Sequence, residues 1–136
     1  MTLRTVTKTV SIEAAVSKVF GFLADASNWP RWAIVNVKSV TKAEGEWWEM
    51  QTPGGAARLR IRPEERLGIL DHDFVAPEAS WTVPARVVRN GTGTLFMITF
   101  FQPPGFTDEF FDQQTTLVDK ELAALKSILE GRDLQP

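Results

Sequence analysis

Large apolar and polar residues alternate over much of this chain with a period of two, the signature of strands buried on one face. The clearest runs are Leu70-Asp71-His72-Asp73-Phe74, Trp81-Thr82-Val83-Pro84-Ala85-Arg86-Val87 and Phe96-Met97-Ile98-Thr99-Phe100. Thr5 to Val10 reads as a first strand, and further strands are predicted over 34–42, 45–52, 56–62, 67–76, 79–89 and 93–102. Short turn sequences separate them: Pro53-Gly54-Gly55, Pro63-Glu64-Glu65-Arg66, Pro77-Glu78 and Asn90-Gly91-Thr92-Gly93. Such short connections make neighbouring strands antiparallel. Two helices are expected after the first strand. One is capped by Ser11 and carries Ala14, Ala15, Val16, Val19, Phe20 and Leu23 at helical spacing; a shorter one spans Asp25 to Trp32, with Pro30 in its first turn. Beyond Pro103-Pro104-Gly105 the period becomes helical from Asp108 to Glu130. Thr107 is its cap, Asp108 and Glu109 lie at its positive end, and Gly131 closes it.

Alternation allows the hairpins to be checked against one another. A loop at Pro77-Glu78 sets Phe74 opposite Trp81 and His72 opposite Val83. A loop at Gly91-Thr92 sets Val87 opposite Phe96, Ala85 opposite Ile98 and Val83 opposite Phe100. A loop over Pro63 to Arg66 sets Ala57 opposite His72 and Leu59 opposite Leu70, and a Gly54-Gly55 loop sets Met50 opposite Leu59 and Trp48 opposite Ile61. One face then collects Trp48, Met50, Leu59, Ile61, Leu70, His72, Phe74, Trp81, Val83, Ala85, Val87, Phe96, Ile98 and Phe100. The other collects Glu49, Arg58, Arg60, Arg62, Asp71, Asp73, Thr82, Arg86 and Thr99, with Glu49 facing Arg60 and Arg58 facing Asp71 as solvated cross-strand pairs. Trp47, Leu67, Ile69, Leu95, Met97 and Phe101 fall outward, marking either a sheet edge or a homodimer contact. In the last helix, Phe111, Val118, Leu122, Leu125 and Leu129 form one stripe, with Phe110, Leu117 and Ile128 beside it. The inner sheet face is the one large apolar surface such a stripe can cover, which makes the fold class α+β with helices on one face of the sheet.

Composition narrows the chemistry. A chain of 136 residues, 43% hydrophobic and 24% charged, is sized for a single globular domain over residues 1–136. Its net charge is −2 with basic residues scattered, so a phosphate-binding footprint is absent and nucleic acid is not an expected partner. The chain has no cysteine and one histidine, which excludes disulfides, thiolate sites and histidine-rich metal centres; no metal or cofactor is expected. The residues from Met1 to Lys8 lack a secretory apolar segment, and no apolar run approaches the about 20 residues of a membrane span. A cytoplasmic location without an integral membrane segment is the resulting expectation.

Several stretches carry a resemblance. Ser11-Ile12-Glu13-Ala14-Ala15-Val16-Ser17-Lys18-Val19-Phe20-Gly21-Phe22-Leu23-Ala24-Asp25, followed by Asn28-Trp29-Pro30-Arg31-Trp32, resembles the SRPBCC superfamily of START domains, birch-pollen-allergen-like proteins and polyketide cyclase/dehydrase proteins. Gly68-Ile69-Leu70-Asp71-His72, Val83-Pro84-Ala85-Arg86-Val87-Val88 with Asn90-Gly91, and Phe101-Gln102-Pro103-Pro104-Gly105 are similar to its polyketide-cyclase-like branch. The resemblance runs from about Thr5 to Glu130. It implies a helix-grip fold, in which a curved antiparallel sheet of about six or seven strands wraps a long C-terminal helix around a cavity. The iron-binding ring hydroxylases of the superfamily are excluded, since their histidine ligands are missing.

His72 is the one candidate for chemistry. Set among Leu70, Phe74, Trp81 and Val83, its imidazole is desolvated and neutral, with one nitrogen to donate and one to accept. It would orient a ligand in a binder or shuttle a proton in an enzyme; the plain alternative is a core histidine bonded to a buried neighbour. Asp71 and Asp73 point to the opposite face and serve as surface partners of Arg58 and Arg86. Trp29 and Trp32 wedge the short helices against the sheet, with Trp32 at the cavity mouth as a lesser role. The expected ligand-binding set is Trp48, Met50, Leu59, Leu70, His72, Phe74, Trp81, Val83, Phe96, Ile98 and Phe100 from the sheet, with Phe110, Gln114 and Leu117 from the helix. The leading expectation is a binder of a hydrophobic or aromatic small molecule in a cavity of about 300–1,000 Å³. The first alternative is a cyclase or dehydrase with His72 as acid–base, which lacks an evident second inward polar group. The second is a non-catalytic interaction module using the outward apolar residues.

Overall fold

A computed structural model describes residues 1–77 and 79–131. Glu78, part of one predicted turn, and residues 132–136 lie outside the described residues. Eight strands form one antiparallel sheet: β1 (Thr5–Ile12), β2 (Ser39–Lys42), β3 (Trp47–Thr52), β4 (Gly55–Glu64), β5 (Ile69–Val75), β6 (Ser80–Val83), β7 (Ala85–Asn90) and β8 (Gly93–Phe101). The helices are α1 (Val16–Ala24), α2 (Trp29–Trp32) and the long α3 (Asp108–Leu129). Strand order is β1-β8-β7-β5-β4-β3-β2, with β6 paired to β5. This is the helix-grip fold. No helix among the described residues is long and apolar enough to cross a membrane.

The first strand runs two residues further than its alternation predicts. Ile12 still pairs with Thr94, so Ser11 belongs to the ladder and does not cap a helix; α1 starts at Val16 behind Ala15. Residues 34–37, predicted as strand, form a turn after α2 in which Val37 N–H donates to the Ala33 carbonyl. The predicted strand over 79–89 divides at Pro84, which has no N–H to give to a ladder. Two bonds seal this break: Thr99 N–H donates to the Pro84 carbonyl, and Ala85 N–H donates to the Asp71 carboxylate at 3.0 Å.

The hairpins keep the predicted faces but not all the predicted partners. Phe74–Trp81, His72–Val83, Val87–Phe96 and Ala85–Ile98 pair as expected. His72, however, faces Ile61 and not Ala57; Leu59 faces Phe74 and not Leu70. Met50 faces Ala57 and Trp48 faces Leu59. Each slip is an even number of residues, so no side chain changes face. The turns explain the slips. Thr52 Oγ1 accepts from Gly54 N–H and donates to the Gly55 carbonyl, closing the β3–β4 turn around Pro53-Gly54. The β4–β5 connection is a 3-10 turn over Glu65–Leu67 ended by Gly68 at φ 68°, a conformation that favours glycine.

On the outer face the slips re-pair the charges. Glu49 meets Arg58, not Arg60. Asp71 is taken by the Ala85 N–H and not by Arg58, while Arg86 donates to the Leu67 carbonyl. Asp73 accepts from Arg60, Arg62 and Thr82. Burial works to raise the Asp73 pKa, but these bonds outweigh it and hold the carboxyl down to about 2. A depressed carboxylate stabilises the fold above its unfolded pKa, and that stability is lost as pH falls through the folded value. Asp73→Asn is therefore expected to cost about 2 kcal/mol at neutral pH. The difference from wild type in urea unfolding should shrink between pH 4 and pH 2.

The core lies between the sheet and the helices. Phe111, Thr115, Val118, Leu122, Leu125 and Leu129 form the buried stripe of α3, and Phe110, Leu117 and Ile128 sit along its margins. Leu122, Leu125 and Leu129, in the C-terminal half of α3, pack in the core cluster with Ile12, Val19, Phe20 and Leu23. Along its N-terminal half, from Phe110 to Glu121, α3 lines a cavity.

Candidate functional site: a cavity at the N-terminal half of the long helix

The cavity has a volume of about 490 Å³. Its inner wall is made by Trp29, Trp32, Ala33 and Val37 after α1, by Met50, Ala57, His72 and Ile98 of the sheet, and by Thr115, Val118 and Glu121 of α3. Its exposed lining residues include Pro53 and Gly54 in the β3–β4 turn, Trp81 of β6, Phe101 at the end of β8 and Phe110 in the first turn of α3. These mark the mouth. Aromatic contacts shape this rim: Phe74 stacks on Trp81 at 5.8 Å, and Phe106 meets Phe110 edge-on at 4.9 Å. Trp81 is 37% exposed and Phe110 43%, and with the exposed Phe101 they gather apolar surface around one opening.

Of the residues expected to contact a ligand, Met50, His72, Phe74, Trp81, Ile98, Phe100, Phe110 and Gln114 line this cavity. Trp48, Leu59, Leu70, Val83, Phe96 and Leu117 do not. Leu59, Leu70, Val83 and Phe96 are buried in the core beside it, because a strand's inward residues share a face but only some reach the unfilled end. Trp48 is half-buried beneath the Lys42 ammonium, and Leu117 lies at the margin of the helix stripe.

His72 is 2% exposed and sits between two rings, edge-on to Trp29 at 4.9 Å and to Phe74 at 5.6 Å. Its Nδ1 is 3.0 Å from the Leu70 carbonyl, an acceptor only, so Nδ1 carries the proton and donates. That leaves Nε2 as a lone-pair acceptor at the cavity wall. Burial is the main cause that lowers its pKa, to about 4, outweighing the Leu70 bond and the nearby Asp71 and Asp73, which raise it. The ring is neutral at physiological pH.

Sequence reasoning missed Glu121, which is buried yet acidic. Its Oε2 accepts from the backbone N–H groups of Val35 and Asn36 at 3.1 and 2.9 Å, and the Asn36 side-chain amide donates to it as well. Burial raises its pKa, and the bonds from Asn36 and Val35 pull the other way. A signal existed: Glu121 lies three residues after Val118 and four before Leu125, on the apolar stripe of α3. No local signal marked Asn36, because its role depends on where the turn after α2 docks. Trp29 and Trp32 wall the cavity's interior. Trp29 Nε1–H donates to the Leu23 carbonyl, whereas the buried Trp32 Nε1–H has no partner among the described residues.

The outward apolar residues expected at an interface have separate fates. Trp47 is half-buried under the guanidinium groups of Arg58 and Arg60. Ile69, Leu95 and Met97 are half-buried, with Arg86 between Ile69 and Met97 in register. Leu67 is exposed in the β4–β5 turn, and Phe101 belongs to the cavity rim.

Over residues 4–130 the sequence matches the family described as polyketide cyclase / dehydrase and lipid transport. The chain belongs to that family. No curated protein matches it. Among solved structures, the Aha1 dimer from Colwellia psychrerythraea is similar at 16% identity and TM-score 0.77, covering 96% of this chain and 99% of that one. A START superfamily protein from Mycobacterium smegmatis is similar at 13% identity and TM-score 0.68, covering 93% and 97%. The di-domain ARO/CYC StfQ from the steffimycin biosynthetic pathway gives 17% identity and TM-score 0.69, covering 94% of this chain and 51% of that one. At these identities the structural likeness establishes the fold: family membership and SRPBCC architecture agree.

Proposed function

We propose that this family member binds a hydrophobic or aromatic small molecule in the cavity between the sheet and the N-terminal half of α3. The observation that carries this reading is the unfilled, aromatic-walled space of about 490 Å³, which lies in the size range of small-molecule pockets. A core built only for stability is close-packed, and leaving such a volume unfilled sacrifices dispersion contacts. The exposed Trp81 and Phe110 at its mouth fit the same role, since an apolar ligand would cover them. His72 Nε2 offers a polar contact that orients the guest.

Acid–base catalysis ranks second. Glu121 supplies the inward acid that the sequence left missing, but Val35 and Asn36 already engage its carboxylate. It anchors the turn after α2 to α3 and is poorly free to exchange protons with a guest.

Titration with N-phenyl-1-naphthylamine, which fluoresces on leaving water, tests the binding reading. Saturable binding is expected in the micromolar range. Ala57→Phe, which puts a ring into the cavity, should weaken it by about tenfold or more while the circular dichroism spectrum stays native. Unchanged affinity in Ala57→Phe, or no saturable binding by wild type, would count against the cavity as a ligand site.

A further inference from the structure

The inner wall carries a charge rule. Glu121 and His72 are the ionisable side chains among the described residues that line the cavity; no lysine or arginine does. Every protein group bonded to the Glu121 carboxyl is a donor, two backbone N–H groups and one amide, an arrangement suited to the ionised carboxylate. The His72 ring commits its Nδ1 proton to the Leu70 carbonyl, which leaves Nε2 as the acceptor of a side chain that lines the cavity.

We infer that the cavity is selective for an uncharged, hydroxyl-bearing aromatic ligand and rejects carboxylates, with Glu121 the residue that excludes anions and His72 Nε2 the acceptor of the hydroxyl proton. The inference rests on the binding reading above and specifies its ligand class. An anion entering this site leaves water without gaining a cation, and an unpaired buried charge is costly. Glu121 adds repulsion to that lost solvation. A hydroxyl group can donate to Nε2, whereas an ether of the same shape cannot.

Three probes of one ring size separate these effects: 2-naphthol, 2-methoxynaphthalene and 2-naphthoate, titrated calorimetrically at pH 7. Wild type should bind 2-naphthol at least about tenfold more tightly than 2-naphthoate. Glu121→Gln should narrow that gap, with naphthoate affinity rising relative to naphthol affinity measured in the same variant. His72→Phe should weaken 2-naphthol by about two- to tenfold while sparing 2-methoxynaphthalene, which never donated. Naphthoate binding as tightly as naphthol to wild type would overturn the charge rule, a comparison that needs no variant to fold. Equal losses for naphthol and its methyl ether in His72→Phe would overturn the role of Nε2. If none of the three probes binds, the binding reading itself fails, and the inference falls with it.

Discussion

Gly68→Ala is expected to destabilise the protein by about 3 kcal/mol, although it adds a single methyl group at a turn. Two causes act together. Gly68 has φ 68°, which a residue with a Cβ adopts at a cost. The added carbon would also lie 2.2 Å from the Val87 carbonyl oxygen, a backbone atom. That oxygen cannot easily retreat, because Val87 N–H donates to the Gly68 carbonyl at 2.9 Å and binds the two segments together. The contact joins the β4–β5 turn to β7, across the place where the sheet passes from β5 to β7. Gly21→Ala is the control. Gly21 lies within α1, and a Cβ there meets nothing within 4 Å. It should stabilise the protein by up to about 1 kcal/mol through helix propensity. Urea denaturation of both variants checks the pair: the midpoints should move in opposite directions. An unchanged midpoint in Gly68→Ala would show that the turn can relax and that the argument from close approach fails.

The second large effect depends on pH. His72 is neutral in the folded protein until about pH 4, whereas in the unfolded chain it protonates near its ordinary 6.5. Between these values the unfolded state binds the extra proton, so lowering the pH favours unfolding. The contribution of His72 to stability is thus complete above about pH 6.5, declines as pH falls towards 4, and levels off below. The full span corresponds to about 3 kcal/mol. Glu121 acts in the opposite sense, since its raised pKa makes the folded state the better proton acceptor as pH falls. A single stability curve therefore mixes the two, and comparison with His72→Asn separates them. Asparagine retains an N–H for the Leu70 carbonyl but does not titrate. The difference between wild type and His72→Asn in unfolding free energy should change by about 3 kcal/mol from pH 7 to pH 4. A constant difference across that range would mean that the folded imidazole is open to water and titrates normally.

Those two residues also mark how far the sequence could be read. His72 was identifiable as the one polar side chain on an apolar face, because alternation alone assigns faces. Its partner across β4 was not identifiable: Ile61, not Ala57, stands opposite. The turn at Gly68 decided that, through a left-handed glycine pressed against β7, and β7 is distant in sequence. The same holds on the outer face. Arg58, Arg60, Arg62, Asp71 and Asp73 were placed correctly as a group, yet Asp71 serves the Ala85 N–H and not an arginine. That bond exists because Pro84 interrupts a strand, and a proline's effect on a neighbouring ladder depends on which ladder is there.

The family match over residues 4–130 and the eight-stranded grip accord with the sequence resemblance and with the sorting of faces. The proposed ligand set is more uneven. Phe74, Trp81, Phe110 and Gln114 reach the cavity, while Leu59, Leu70, Val83 and Phe96 belong to the packed core. All share the same binary pattern, and the pattern does not say where packing stops. Only the seating of α3 does, because residues from Phe110 to Glu121 line the cavity while Leu122, Leu125 and Leu129 pack in the core cluster.

By itself, then, the sequence determined which residues face inward, where the long helix runs and that one neutral histidine lies among aromatics. These follow from periodicities of two and 3.6, which are local and survive any even slip in register. Tertiary structure alone decided the strand partners, the open end of the core and the buried Glu121 held by the turn at Val35 and Asn36. Each of those depends on contacts between segments far apart in the chain, whose alternatives differ by packing and hydrogen bonds and not by pattern.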